Sequence, residues 1–264
     1  MARLINIDSI LGQIPAGEKE RLRSVSVDGA RYWIKRYDCE DRPGYKLLHK
    51  VISVLPIPAW SKQSEPVDAA GAVARELRKI DAFRAIGFKT AKTVYSDEVM
   101  VIAKDAGVGL DHEMKALREA GNKVAHDEIL CEAAYVLGLV HAAGLVHGRP
   151  HIRDMFRRGR KIGFLDFEEE PETVMPIAFA QARDCWLFFL FAADLALLPG
   201  TGQKAWQRYT ENAPADLLLA LREIFAFWHR VIWPLKLLRL TGFSSDLRRI
   251  VKADEILENA FRKN

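Results

Sequence analysis

Two aspartates stand twelve residues apart in the stretch LVHGRPHIRDMFRRGRKIGFLDFEEE, which runs from Leu145 to Glu170. Asp154 precedes the short run MF, and Asp166 ends the returning apolar run KIGFL. The glycine-bearing basic stretch between them reads as a turn. A hairpin of that length brings both carboxylates to the same end. Mg2+ takes hard oxygen ligands, usually one or two carboxylates together with substrate phosphates. The pair therefore suits one or two such ions under a nucleotide, where the metal neutralises charge developing on a transferred phosphoryl group. Upstream lies Arg149, whose guanidinium type pairs bidentately with phosphate or carboxylate. Two readings of it stay open. It binds an anionic group, or it forms a salt bridge to a neighbouring acid and locks the loop.

The elements that must position these residues follow from the pattern of the chain. The first forty residues read as strands: RSVSVDGARYWIKRY is two alternating runs joined at Asp28-Gly29, a good hairpin signal. The outgoing strand carries Lys35 near its end. An irregular segment follows, and then AGAVARELRKIDAFRAIG reads as a helix capped by Gly87. KTAKTVYS and EVMVIAKDAG read as two more strands with SDE as the turn. Beyond them the chain is mostly helical, with Ile129, Ala133, Val136, Leu137 and Val140 at helical spacing in AHDEILCEAAYVLGLVHAAG. The order is a small β-rich lobe with one helix, then a larger helical lobe.

That order and those motifs resemble the protein-kinase-like fold. More narrowly they resemble the bacterial lipopolysaccharide and Kdo kinase branch with its toluene-tolerance-type sequences, over roughly Ser24 to Leu198. The resemblance implies an α+β, two-lobed fold, with an N-lobe over 1–106 (an insertion at 39–73) and a C-lobe over 107–264 (a catalytic-loop-like hairpin at 146–168). It implies that Lys35 in YWIKRY holds ATP phosphates and that Glu76 in ARELRKI pairs with that lysine. VHGRPHIRDMF falls on the catalytic loop H-R-D-x-x-x-x-N, so His147 matches the loop histidine and Asp154 the metal-binding asparagine. FLDFE falls on D-F-G, so Asp166 matches the magnesium aspartate. Asp184 in ARDCW would brace the catalytic loop. The departures concern the acceptor side. Arg149 replaces the aspartate that orients the acceptor hydroxyl, Asp154 replaces asparagine, and Glu168 replaces the glycine of D-F-G. No G-x-G-x-x-G precedes the hairpin, and the absence of G-x-x-x-x-G-K-[ST] argues against a P-loop enzyme.

Bulk numbers bound the rest. At 264 residues the chain buries a sizeable core as one large domain or two lobes. Its 49% apolar and 28% charged residues are ordinary for a folded protein, and a net charge of +4 does not by itself point to nucleic acid. Cys39, Cys131 and Cys185 lack metal-ligand spacing and suit a reducing cytosol. The apolar run from Cys185 to Pro199 contains Asp194 and reads as a buried helix, not a membrane span.

Two segments mix cations with large apolar residues. Residues 42–62 carry Arg42, Lys46, Lys50, Lys62 and Trp60 with no acid, and from Arg222 to Lys252 seven Lys/Arg face two acids among Trp228 and Trp233. The second reads as an amphipathic helix packed on the large lobe or as a surface for anionic lipid, and the first, an irregular segment, has the same composition.

The expected function is ATP- and Mg2+-dependent phosphoryl transfer to a small or lipid-linked cell-envelope acceptor at the inner membrane face. The expected partners are nucleotide and an anionic membrane surface or lipid-linked substrate, with no nucleic acid. Arg149, Asp154 and Asp166 are the expected catalytic residues, Lys35 and Glu76 the cofactor contacts, and Asp154 and Asp166 the metal ligands. The alternative is a pseudokinase that binds nucleotide or lipid and acts through a partner, which Arg149 favours.

Overall fold

The computed structural model describes residues 6–15, 17, 19–39, 58, 60, 62, 64–237 and 252–259, with side chains of the long helix described as far as Arg230. The chain divides into two compact units. One comprises residues 1–57, 65–107 and 157–168; the other comprises 58–64, 108–156 and 169–264.

The first unit is built on a hairpin, β1 (Leu22–Val27) and β2 (Ala30–Arg36). Asp28 and Gly29 both have positive φ, at 53° and 75°. That is the backbone of a type I′ turn, whose twist matches that of the strands. It fixes the register from Val27 opposite Ala30 to Leu22 opposite Lys35. β4 (Lys92–Ser96) and β5 (Met100–Lys104) complete an antiparallel sheet in the order β1-β2-β5-β4, with Lys35 opposite Val101. β3 (Lys89–Thr90) pairs in parallel with β8 (Lys161–Phe164). One face of the large sheet buries Val25, Tyr32, Ile34 and Ile102.

Ile10 plugs the same cluster from α1 (Ile7–Leu11), a single helical turn capped by Asn6, whose side chain accepts from the Ser9 N–H. The expectation of strands through the first forty residues is corrected here. One turn of helix is too short to show a 3.6-residue period in sequence, and its cap residue is the only local signal.

The longer helix described in this unit, α2 (Ala69–Ile86), starts at Asp68, whose carboxylate accepts the Gly71 N–H at 2.8 Å. It ends at the left-handed Gly87. Its buried residues include Val73, Glu76, Ile80 and Phe83, a stripe at helical spacing that contains one acid.

The second unit holds β6 (Val108–Gly109), α3 (Leu110–Glu119), α4 (Lys123–Ala142), α5 (Ile177–Ala192), α6 (Thr201–Thr210) and α7 (Ala215–Leu237). β7 (Met155–Arg158) carries the chain out of it. The apolar run that the sequence assigns to a buried helix begins inside α5, where Cys185, Phe188 and Phe189 are buried. Among the described residues no helix is long and apolar enough to cross a membrane.

Trp60 is buried too, edge-on to Phe227 at 5.2 Å and 6.3 Å from Trp228, which stacks on Trp186 at 5.1 Å. This packing corrects the reading of Trp60 as a membrane-facing residue. Residues 40–57 and 238–251, which carry most of the two basic-apolar segments, lie outside the described residues.

Candidate phosphate-binding site

Lys35 sits on β2 one residue beyond the buried Ile34, where the strand's alternation leaves it half-buried. Its ammonium donates to Glu76 at 2.8 Å and to Asp166 at 2.6 Å, and lies 2.7 Å from Glu168. Glu76 comes from the apolar stripe of α2. A carboxylate on such a stripe is held there only by a partner, and Lys35 is that partner.

Asp166 follows β8. Its φ of 66° lies in the left-handed region, sparsely populated for a side chain other than glycine. Packing on both sides holds it there. Phe164 and Phe167 are buried against Phe83 of α2, with ring centroids 5.5 and 4.7 Å apart. Arg75, next to Glu76, donates to the Glu168 carbonyl at 3.1 Å and to the Glu65 carbonyl at 2.8 Å. The Phe of the D-F pair is thus a wedge, and the neighbouring backbone is pinned by the residue beside the pairing glutamate.

The electrostatics follow from crowding. Burial pulls the Lys35 ammonium pKa down, but Glu76, Asp166 and Glu168 outweigh it and the net shift is upward. Burial pushes the Glu76 carboxyl up, only partly offset by Lys35. Burial also raises Asp166, and the neighbouring Glu168 adds to that rise against the pull of Lys35. Glu168 itself is lowered: burial opposes the charge, but Lys35 and the ion-paired Arg21 overcome it. Among the described contacts three carboxylates surround Lys35 and Arg21 pairs with one of them, so the cluster presents several hard oxygen donors.

Every expected site residue of this unit is therefore brought together: Lys35, Glu76 and Asp166. The structure adds Glu168, Arg21 and Arg75. Glu168 enters the sequence reading only as a departure from D-F-G, and Arg21 carries no motif.

The second unit contains the catalytic-loop stretch. Asp184 of α5 is fully buried and accepts the backbone N–H of His147 at 2.6 Å and of Gly148 at 3.0 Å. Arg183 donates to the Gly148 carbonyl at 3.3 Å and to Glu169 at 2.6 Å. Gln181 donates to the carbonyls of His141 and Leu145. Three residues of one helix thus brace the loop. Gly148 has φ of 108°, and a Cβ there would meet the Glu169 carbonyl oxygen at 2.5 Å, so no other residue fits. Asp154 is buried at the end of a 3-10 turn (Ile152–Asp154), 3.5 Å from the Arg153 guanidinium. Arg149 is exposed between the buried Gly148 and Pro150.

No protein-family profile matches the sequence, and no curated protein matches it. Among solved structures the chain is similar to WaaP in complex with acyl carrier protein, with a TM-score of 0.50 and 16% identity over 95% of this chain and 92% of that one. The likeness spans nearly the whole length of both chains. The chain has an α+β, two-lobed, kinase-like fold, as the resemblance of its sequence to the lipopolysaccharide kinases implied.

Proposed function

We propose that the protein is an ATP- and Mg2+-dependent phosphotransferase. The observation that carries this reading is the single ammonium of Lys35 held at 2.6–2.8 Å by carboxylates from a helix, from the end of a strand and from the loop after it. A lysine so fixed is a preorganised phosphate contact, and Glu76 sets its direction. Mg2+ suits the carboxylate oxygens gathered here, and Asp166 is the residue that would hold it, with Asp154 as the second ligand that the motif spacing assigns. When bound, the metal would neutralise charge on the transferred group.

The acceptor belongs to the same proposal: a small or lipid-linked sugar or lipid of the cell envelope, met at the inner membrane face. Its support is the lipopolysaccharide-kinase resemblance and the basic-apolar composition of residues 42–62 and 222–252. The fold shared with WaaP agrees with it.

A second reading, a pseudokinase that binds nucleotide and acts through a partner, is favoured by Arg149 at the position of the acceptor-orienting aspartate. Loss of a general base typically costs roughly 10²–10⁴-fold, while positioning and charge stabilisation carry most of phosphoryl transfer. Purified protein should therefore hydrolyse ATP slowly in a magnesium-dependent way that Asp166→Asn abolishes. Mg-ATP binding without any magnesium-dependent turnover would hand the case to the pseudokinase.

A further inference from the structure

The second unit gathers a set of metal-ligating side chains that carries no kinase motif. His229 stands on α7, and Asp254 and Glu258 stand four residues apart on the helical stretch 252–259. Residues four apart on a helix share one face, so the two carboxylates can meet the same neighbour. One ligand atom from each of the three residues lies within 4.8 Å of the other two. His229 Nδ1 is 3.1 Å from a carboxylate oxygen of Asp254. Asp254 is only 2% exposed, while His229 and Glu258 are half-buried and leave the cluster open to solvent on one side.

Apolar packing explains why the stretch 252–259 docks here. Ala253, Ile256 and Leu257 are buried, and Ile256 sits so close to Gly202 of α6 that a Cβ there would meet its Cδ1 at 2.5 Å. The same packing carries Asp254 inside, where a carboxylate needs a cation or hydrogen-bond donors. A hydrogen bond from His229 is the plain reading of that pair. Two features go beyond it. Ligand atoms held about 2.0–2.2 Å from one zinc ion stand roughly 3–3.5 Å apart, and His229 and Asp254 already have that separation. Glu258 then brings a third ligand of the same class to the pair, one that a two-membered hydrogen bond does not call for.

We propose that His229, Asp254 and Glu258 form a binding site for a divalent first-row transition-metal ion, of which zinc is the type. One imidazole nitrogen with two carboxylates is a mixed nitrogen and oxygen set, which suits such ions, whereas Mg2+ and Ca2+ take oxygen alone. His229 binds through the Nδ1 lone pair and keeps its ring proton on Nε2. Three protein ligands leave the fourth position of a tetrahedral ion to water. The ion ties the stretch 252–259 to α7, so its binding free energy adds to the stability of the second unit. The site stands apart from the phosphotransferase reading and does not rest on it.

The test uses the full chain, stripped of metal by a chelator and dialysed, then titrated calorimetrically with zinc chloride and, separately, with magnesium chloride. The wild type should bind zinc saturably at His229, with magnesium about a hundredfold weaker or worse. Zinc should also raise the melting temperature, since it binds the folded chain. His229→Ala and Glu258→Gln, both at half-buried positions, should each weaken zinc binding by about tenfold or more. Metal-free melting of both variants near that of the metal-free wild type shows that the fold is intact. Cobalt(II) gives a reading on the wild type that needs no variant: a tetrahedral site with a nitrogen ligand should show visible absorption that added zinc abolishes.

The proposal is overturned if zinc does not bind saturably, if magnesium binds as tightly, if cobalt gives no such absorption, or if both variants bind zinc like the wild type. Asp166→Asn separates this site from the Lys35 cluster, and zinc affinity should be unchanged in it. Zinc binding lost in Asp166→Asn and kept in His229→Ala assigns the ion to the Lys35 cluster and overturns the proposal. Zinc binding that depends on His229 in a protein that does not bind Mg-ATP keeps this site and rejects the phosphotransferase.

Discussion

Lys35 and Arg149 are both cations at positions where a kinase-like chain does chemistry, and they are held in opposite ways. Lys35 is crowded by three carboxylates, and its side chain is only 14% exposed. Arg149 is exposed on a clamped loop, and among the described residues its guanidinium makes no ion pair. The first is bound into the fold and must share its partners with any ligand. The second contributes little to the fold and is available whole. A sequence comparison shows only one expected lysine and one unexpected arginine; the distinction between a saturated and an unsaturated cation needs the partners.

The largest effect should come from breaking the saturated side. Lys35→Met removes the cation that three crowded carboxylates share, and removing one partner of a buried ion pair costs about 3–5 kcal/mol. The sign with pH is distinctive. Carboxyls that lose their cation have raised folded-state pKa values, so their cost is present at neutral pH and shrinks as pH falls and they take up protons. Chemical denaturation of the variant should show stability recovering toward wild type on acidification. In the wild type Glu168, whose folded-state pKa is lowered, loses its contribution as it is protonated and works against the raised Glu76 and Asp166, so the recovery on acidification should be smaller than in the variant. A variant uniformly destabilised at all pH values would mean that Lys35 is held by packing and not by charge.

A smaller but still large effect belongs to the mount of the free cation. Gly148→Ala places a methyl group against the Glu169 carbonyl at a φ that alanine rarely adopts, and strain of this kind costs on the order of 1–3 kcal/mol. Melting by circular dichroism should show it. An unperturbed melting temperature would show that the loop yields, and the bracing of the Arg149 backbone would go with it. Arg149→Ala is the smallest in stability, within about 0.5 kcal/mol of wild type, as for a surface residue with no partner. A larger loss would reveal a structural bond to Arg149 and erase the contrast with Lys35.

Much of this was legible in sequence, for reasons that particular residues make plain. The hairpin was marked by Asp28-Gly29, because few other pairs accept two positive φ values. Glu76 was marked by its motif alone; its place on the Val73–Ile80–Phe83 stripe, where an unpaired acid would be costly, emerged with the structure. Asp166 stood where an apolar run met a cluster of acids. Glu168 was legible only as a missing glycine, since its role depends on Arg21 and Lys35, which lie far away in sequence. The turn of helix around Ile10 was too short to have a period. Trp60 was misread because composition does not separate an aromatic residue stacked in a core from one facing lipid headgroups.

The central claim is that the Lys35 cluster receives a magnesium nucleotide, and thermal unfolding with and without Mg-ATP tests it most directly. A ligand that binds only the folded state stabilises by mass action, by about 2.7 kcal/mol at a hundred times its Kd. The account predicts a clear rise in melting temperature for the wild type at millimolar Mg-ATP. It predicts loss of the magnesium-dependent part of that rise in Asp166→Asn, whose own fold should be no less stable, because asparagine tolerates the left-handed backbone and relieves a carboxylate whose charge burial disfavours. No shift in the wild type, or an equal magnesium-dependent shift in Asp166→Asn, would contradict it.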